Sequence, residues 1–202
     1  VANVNDAPTG AVQISLGGPA ITAATALKQG DVLTASNSLA DIDGIGAISY
    51  QWFANGAAIS GATGTSLTLN QNQVGQAISV KASYTDSFAT AEAVNSITSA
   101  NVANVNDAPT GAVQISLGGS AITAATALKQ GDVLTASNTL ADVDGIGAIS
   151  YQWFANGAAI SGATGSSLTL NQAQVGQAIS ARASYTDGFG TAEAVNSLTT
   201  AS

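Results

Sequence analysis

Apolar and polar residues mostly alternate along this chain, with a period of two rather than 3.6, so the pattern predicts strands with one face in a core. Ala11–Leu16 reads as a first strand after Pro8, and Asp31–Ser36 as a second. Ala47–Ala54 (AISYQWFA) is the strongest strand, with Ile48, Tyr50 and Trp52 on one face. Asn55-Gly56 follows it, the strongest short hairpin signal because both residues tolerate positive φ, and Ala57–Ser60 returns. Ser66–Leu69, Ala77–Tyr84 and Thr90–Ala100 complete seven strands. Turn signals stand between them at Gly17-Gly18, Gly30-Asp31, Asp43-Gly44, Gly61–Gly64 and Asp86-Ser87. Ala20–Lys28 is Ala-rich but carries three Thr or Ile residues, and reads as a loop with at most one helical turn.

The whole pattern then repeats. Val1–Asn101 and Val102–Ser202 align without a gap and differ at 12 positions. A unit of this length is a domain rather than a solenoid turn. Seven short strands in about 100 residues predict an all-β chain: two tandem immunoglobulin-like Greek-key β-sandwich domains, 1–103 and 104–202, in an end-to-end rod. Trp52, in mid-strand, is expected to be the core tryptophan of such a sandwich. The opening VANVNDAPTG at Val1–Gly10 recurs as the junction Val102–Gly111, the pattern expected of a piece of a longer array. The last strand runs into that junction with no Gly or Ser spacer, so a short link is expected. Strand lengths suggest about 35–45 Å per domain.

Composition narrows the functions. With Lys+Arg at 4, Asp+Glu at 12 and a net charge of −8, the chain would repel a phosphate backbone, which argues against nucleic acid as a partner. No apolar run approaches the roughly 18 residues of a membrane span, and no leader pattern opens the sequence given. Cys and His are both absent, which removes disulfides, thiolate chemistry, the commonest general base and the commonest zinc ligand. No Ser-His-Asp or Cys-His arrangement can be built, so the chain is read as not an enzyme, with no small-molecule substrate. Paired acids at Asp41 and Asp43 are better placed to chelate than to flank a sugar. Aromatics are only 5% of the chain, and Tyr50 and Phe53 point to opposite strand faces, which leaves no obvious carbohydrate platform even with Tyr84 and Phe88.

The acids carry the candidate chemistry. Tracing the sandwich strand by strand puts the loop ADIDG (Ala40–Gly44), the turn Thr85–Thr90 and the segment before the first strand at one end. Asp6, Asp41, Asp43 and Asp86 are therefore expected to converge, while Lys28 and Lys81 fall elsewhere. At the internal junction the corresponding set is Asn104, Asn106, Asp107, Asp142, Asp144 and Asp187. Unneutralised carboxylates repel one another, and hard oxygen donors, supplemented by Asn3, Asn5 and loop carbonyls, suit Ca²⁺. The competing reading is that DxDG is only a turn with solvated acids. The EF-hand spacing is absent, since Trp52 stands where its last ligand would be Glu. Glu92 and Glu193 are left open, and Asp31 is read as a turn residue at the opposite end. A core of small residues gives such an ion something to stabilise.

NVNDAPTG, ADIDGIGAISYQWFANGAAISGATG and NQNQVGQAISVKASYTD resemble the tandem immunoglobulin-like repeats of giant repeats-in-toxin surface adhesins of bacteria. NVNDAP also resembles the cadherin linker, with Asn104, Asn106 and Asp107 at the corresponding positions. The resemblance implies extracellular extender repeats at the bacterial cell surface, stiffened by calcium, that project a distal ligand-binding region for adhesion or biofilm formation. The partners would be neighbouring repeats of the same, monomeric chain. The alternative is that the repeats themselves bind a glycan or a partner. The sequence departs from antibody domains in lacking the Cys pair, and Ala77 and Ser79 stand where the tyrosine corner and second Cys would fall. The turn TDSFA also departs from TDGFG in the second copy.

Overall fold

The computed structural model describes residues 4–201. The chain divides into two compact units, Val1–Val105 and Asn106–Ser202. In the first, the strands are β1 (Val12–Leu16), β2 (Leu27–Lys28), β3 (Val32–Asn37), β4 (Ser49–Ala54), β5 (Ala57–Ala58), β6 (Ser66–Thr68), β7 (Ile78–Thr85), β8 (Ala91–Asn95) and β9 (Val102–Ala103). One sheet has the order β1-β3-β6 and the other β5-β4-β7-β8. The chain crosses between them after β3, β5 and β6, which makes a Greek-key sandwich of immunoglobulin-like type.

Period-two burial produces the sandwich. Along β7 every second residue is buried, and Ile78, Val80 and Ala82 meet Ile14, Leu33 and Trp52 in the core. Trp52 is fully buried, and its indole N–H donates to the Gly64 carbonyl at 3.0 Å, so the one polar atom of the core tryptophan is satisfied. Asn55 and Gly56 take φ of 46° and 80°, the positive values that the two-residue hairpin needs.

Three features depart from the sequence pattern. The strand expected over Thr90–Ala100 ends at Asn95. Beyond it the hydroxyls of Ser96 and Ser99 accept from the Val80 and Ile78 amides, both at 2.9 Å, where strand carbonyls would otherwise stand. A 3-10 turn at Gln71–Gln73 is closed by a reciprocal capping box between Asn70 and Gln73. Third, the first unit does not end where the first copy ends. Val102 and Ala103 pair in parallel with Leu27 and Lys28, and Val102 is buried in the first core. The unit boundary accordingly lies at Val105/Asn106, two residues past the position expected from the sequence.

The second unit repeats the design with β10 (Val113–Leu117), β11 (Ser120–Ala121), β12 (Val133–Asn138), β13 (Ser150–Ala155), β14 (Ala158–Ala159), β15 (Ser167–Thr169), β16 (Ile179–Thr186) and β17 (Ala192–Asn196). Its sheets run β11-β10-β12-β15 and β14-β13-β16-β17. Trp153 occupies the core position of Trp52, but faces Ala181 across the ladder where Trp52 faces Val80.

One turn differs in cost between the units. Ala89 is held at φ 68°, where its counterpart Gly190 sits at 91°. A β-carbon in the left-handed region costs roughly 1 kcal/mol. Ala89→Gly is therefore expected to stabilise the first unit by up to about 1 kcal/mol, raising its calorimetric midpoint by roughly 4–8 °C. An unchanged or lowered midpoint would show that the turn carries no such strain.

Candidate functional site

The acidic turns are built by side chains accepting from backbone. Asp41 Oδ1 accepts from the Asp43 amide at 2.9 Å, which with Gly44 at φ 94° closes the DIDG turn. Asp86 Oδ1 accepts from the Phe88 and Thr90 amides at 2.8 and 2.7 Å and shapes the turn after β7. The two turns are stitched together where the Ser87 amide donates to the Asp43 carbonyl at 3.1 Å.

The leading segment of the unit is fastened onto these turns. Asp6 N–H donates to Asp43 Oδ2 at 2.8 Å, and Asn5 Nδ2 donates to Glu92 Oε1 at 2.7 Å. Thr9 and Ala40 exchange backbone hydrogen bonds just beyond, at 2.7 and 3.0 Å. At that place Gly10 has φ 89°, and a β-carbon there would stand 2.2 Å from the Ser38 carbonyl oxygen, so glycine is required. The Tyr84 hydroxyl donates to Asp41 Oδ2 at 2.5 Å. Burial, this bond and the negative charges of Asp41, Glu92 and Asp86 raise the Tyr84 pKa, so the phenol stays protonated as donor.

The second unit reproduces each link. Asp107 N–H donates to Asp144 Oδ2 at 2.7 Å, Asn106 Nδ2 to Glu193 Oε1 at 2.8 Å, the Asp144 amide to Asp142 Oδ1 at 2.9 Å, and the Tyr185 hydroxyl to Asp142 Oδ2 at 2.5 Å. Phe189 and Thr191 amides donate to Asp187 Oδ1, and the Gly188 amide to the Asp144 carbonyl. Burial acts to raise the Asp187 pKa, but the Thr191 and Phe189 amides, the Thr191 hydroxyl and the Gly190 amide outweigh it and hold the carboxyl below its usual range.

Hydrogen bonds thus gather Asp6, Asp41, Asp43 and Asp86 at one end of the first unit, and Asn106, Asp107, Asp142, Asp144 and Asp187 at one end of the second. Glu92 and Glu193 join them through Asn5 and Asn106. Asn104 stands apart, in the first unit just past β9, and Asn3 lies outside the described residues. Asp31 closes its own turn far along the chain, accepting from the Lys28 amide at 2.9 Å. Lys81 and Arg182 lie over the Phe53 and Phe154 rings, at 5.4 and 5.2 Å from their centroids.

Whether these residues suit a cation turns on their unused oxygens. Asp86 Oδ2, Asp144 Oδ1 and Asp187 Oδ2 are buried with no hydrogen-bond partner. A desolvated carboxylate oxygen without a donor is costly, and such atoms are rare in folded proteins. Their chemistry, hard and anionic, fits calcium better than any softer ion. As arranged, no group of three or more acidic side chains among the described residues could hold a metal ion. The acids act first as acceptors for backbone amides, and the donor set for a cation is only partly assembled.

No family model matches this chain, and no curated protein sequence does. Among solved structures it is similar to the fibronectin(III)-like modules of Clostridium thermocellum CbhA, at 14% identity over 92% of this chain and 93% of that one, with a TM-score of 0.30. It is also similar to SGBP-B of a Bacteroides ovatus mixed-linkage glucan utilization locus, in complex with a mixed-linkage heptasaccharide, at 12% identity over 98% and 71%, TM-score 0.27. The sandwich is established by its own strand order rather than by these likenesses.

Proposed function

We propose that the two units are structural extender repeats of a bacterial surface adhesin, exported to the cell surface, doing no chemistry and holding a distal ligand-binding region away from the cell. One observation carries this reading. In both copies the segment that leads into the sandwich is clamped by Asp43 or Asp144 and by Glu92 or Glu193, through the same bonds at the same offset. A repeat that grips its own leading segment converts a flexible entry into a fixed one, which is what a spacer needs.

Calcium is part of the proposal. Asp144 and Asp187, with Asp107 and Asp142 beside them, would hold it in the second unit, and Asp43 and Asp86 with Asp6 and Asp41 in the first. Bound there, the ion would supply charge neutralisation to oxygens that burial has stripped of water.

Thermal melts and small-angle scattering in chelator and in millimolar calcium test the reading. Both units are expected to melt higher in calcium, with a narrower distribution of particle dimensions. Identical melts and scattering in the two buffers would remove calcium from it. Reproducible binding of this two-unit chain on a glycan array would overturn the spacer function itself and make the repeats the binding module.

A further inference from the structure

The first unit is completed by a short strand that has no counterpart among the described residues of the second. In the first, Val102 lies between Leu27 and Val74, pairing in parallel with both. Its amide donates to the Gln76 carbonyl at 3.0 Å, and its carbonyl accepts from the Gly75 amide at 2.8 Å. The Gln29 amide donates to the Ala103 carbonyl at 3.0 Å, and the Val105 amide to Gln29 Oε1 at 3.4 Å. Every residue of Val-Ala-Asn-Val except Asn104 is thus tied by its backbone to the first unit.

The second unit carries the counterpart of this receiving surface, with Ala201 on its lining, where the Ala201 amide donates to the Ala124 carbonyl at 2.8 Å, and with no described residue in the place of Val102. A groove of about 450 Å³ is lined by Leu128, Leu170, Gln174, Val175, Gly176 and Ile179, among others, the counterparts of Leu27, Leu69, Gln73, Val74, Gly75 and Ile78. Leu27 is 1% exposed, whereas Leu128 is only partly buried; Val74 is partly buried, whereas Val175 is 56% exposed. Leu27 and Lys28 form a strand, whereas Leu128 and Lys129 do not. The amides of Gly176 and Gln130, counterparts of the two that bind Val102 and Ala103, have no backbone partner among the described residues. The difference is not in the groove's own side chains. All six named above are identical between the copies.

We propose that this groove is the seat for the opening Val-Ala-Asn-Val strand of a further copy of the repeat, joined directly after position 202 and entering in the register of Val102–Val105. The proposal rests on the extender reading in assuming that further copies follow. It deepens that reading by naming how each repeat closes the core of the one before it. Recognition is β-strand addition. Backbone hydrogen bonds supply alignment, the first Val supplies the buried side chain, and Ala faces out, as Ala103 does. A sandwich array in which each unit borrows one core residue from its successor is mechanically interlocked, because separating the copies uncovers Leu128 as well as straightening a link.

The test appends Val-Ala-Asn-Val after Ser202 in one version of the chain and Asp-Ala-Asn-Asp in another, both in chelator. Hydrogen exchange is then read at the Gly176 and Gln130 amides. The Val version is expected to slow both by at least about tenfold and to raise the second unit's melting midpoint, while the Asp version matches the unextended chain. Equal exchange in all three would overturn the proposal. Protection in the unextended chain that grows with protein concentration would also overturn it, by assigning the groove to the Val1–Val4 segment of another molecule. Because calcium is absent throughout, strand capture can fail while the calcium response survives, and the reverse, so the two readings are separable.

Discussion

Trp153→Ala is expected to lower the melting midpoint of the second unit by roughly 15–30 °C while leaving the first unit folded. Removing a buried tryptophan costs about 3–5 kcal/mol, and a domain of this size has only about 5–15 kcal/mol to lose. Trp153 is fully buried, and its N–H donates to the Gly165 carbonyl at 2.9 Å, so the variant also loses that bond. The second unit has less margin than the first. Ala181 stands opposite Trp153 where Val80 stands opposite Trp52, so the core is already short of two methyl groups at the point of contact. Trp153→Phe keeps most of the apolar volume and is expected to fall between wild type and Ala. The chain has two tryptophans, so in the Ala variant Trp52 fluorescence follows the first unit alone. Each core cluster draws on its own unit's residues, and the Trp52 transition should therefore keep its midpoint. A second-unit midpoint within about 5 °C of wild type would show that Trp153 is not the keystone assigned to it.

Much of this was legible in the residues. The alternation over Ala47–Ala54, the Asn55-Gly56 turn and the buried Trp52 all follow from local chemistry that tertiary packing does not override. Convergence of Asp6, Asp43 and Asp86 followed from connectivity alone, since strand direction decides which loops share an end. Other features could not be read that way. A two-residue strand such as Val102–Ala103 is too short to show a period, so although the boundary expected at 103/104 keeps it in the first unit, nothing in the pattern marks it as a strand. The hydroxyls of Ser96 and Ser99 accept strand amides without leaving a mark in a hydrophobicity pattern. Tyr84 reaches Asp41 across 43 residues, a pairing set by register. The Asn70–Gln73 capping box was within reach, because N-x-x-Q before a turn is the signal, and it lay inside a stretch read only as a connection. What the sequence could least disclose is the state of the acids. Composition counts them as repelling charges, whereas the fold turns one oxygen each of Asp41, Asp43, Asp86, Asp142, Asp144 and Asp187 to backbone amides and leaves a buried few without donors.

Those few set two replacements of Asp144 apart. Its Oδ2 accepts from the Asp107 amide, its Oδ1 is buried without a partner, and the residue is only 3% exposed. Asp144→Ala releases the leading segment and leaves the Asp107 amide without its acceptor, at a cost of about 1–3 kcal/mol in chelator. Asp144→Asn keeps an acceptor for that amide and sets a neutral amide group where the unpartnered oxygen was. In chelator it is expected to melt within about 3 °C of wild type or above it, because a buried charge has been removed. Calcium separates the two proteins. Extracellular calcium modules bind in the range of about 10⁻⁴–10⁻³ M, so an excess of ten to a hundred times the dissociation constant stabilises wild type by roughly 1.4–2.7 kcal/mol. For one unit that is a rise of roughly 6–20 °C, and Asn, a neutral and weaker ligand, should lose most of it. If the acids are turn-formers alone, wild type and Asn will respond to calcium alike and only Ala will be destabilised. A calcium response present in wild type, absent in Asn and uncoupled from basal stability requires the carboxylate's charge rather than its hydrogen bond, and a solvated turn cannot produce it.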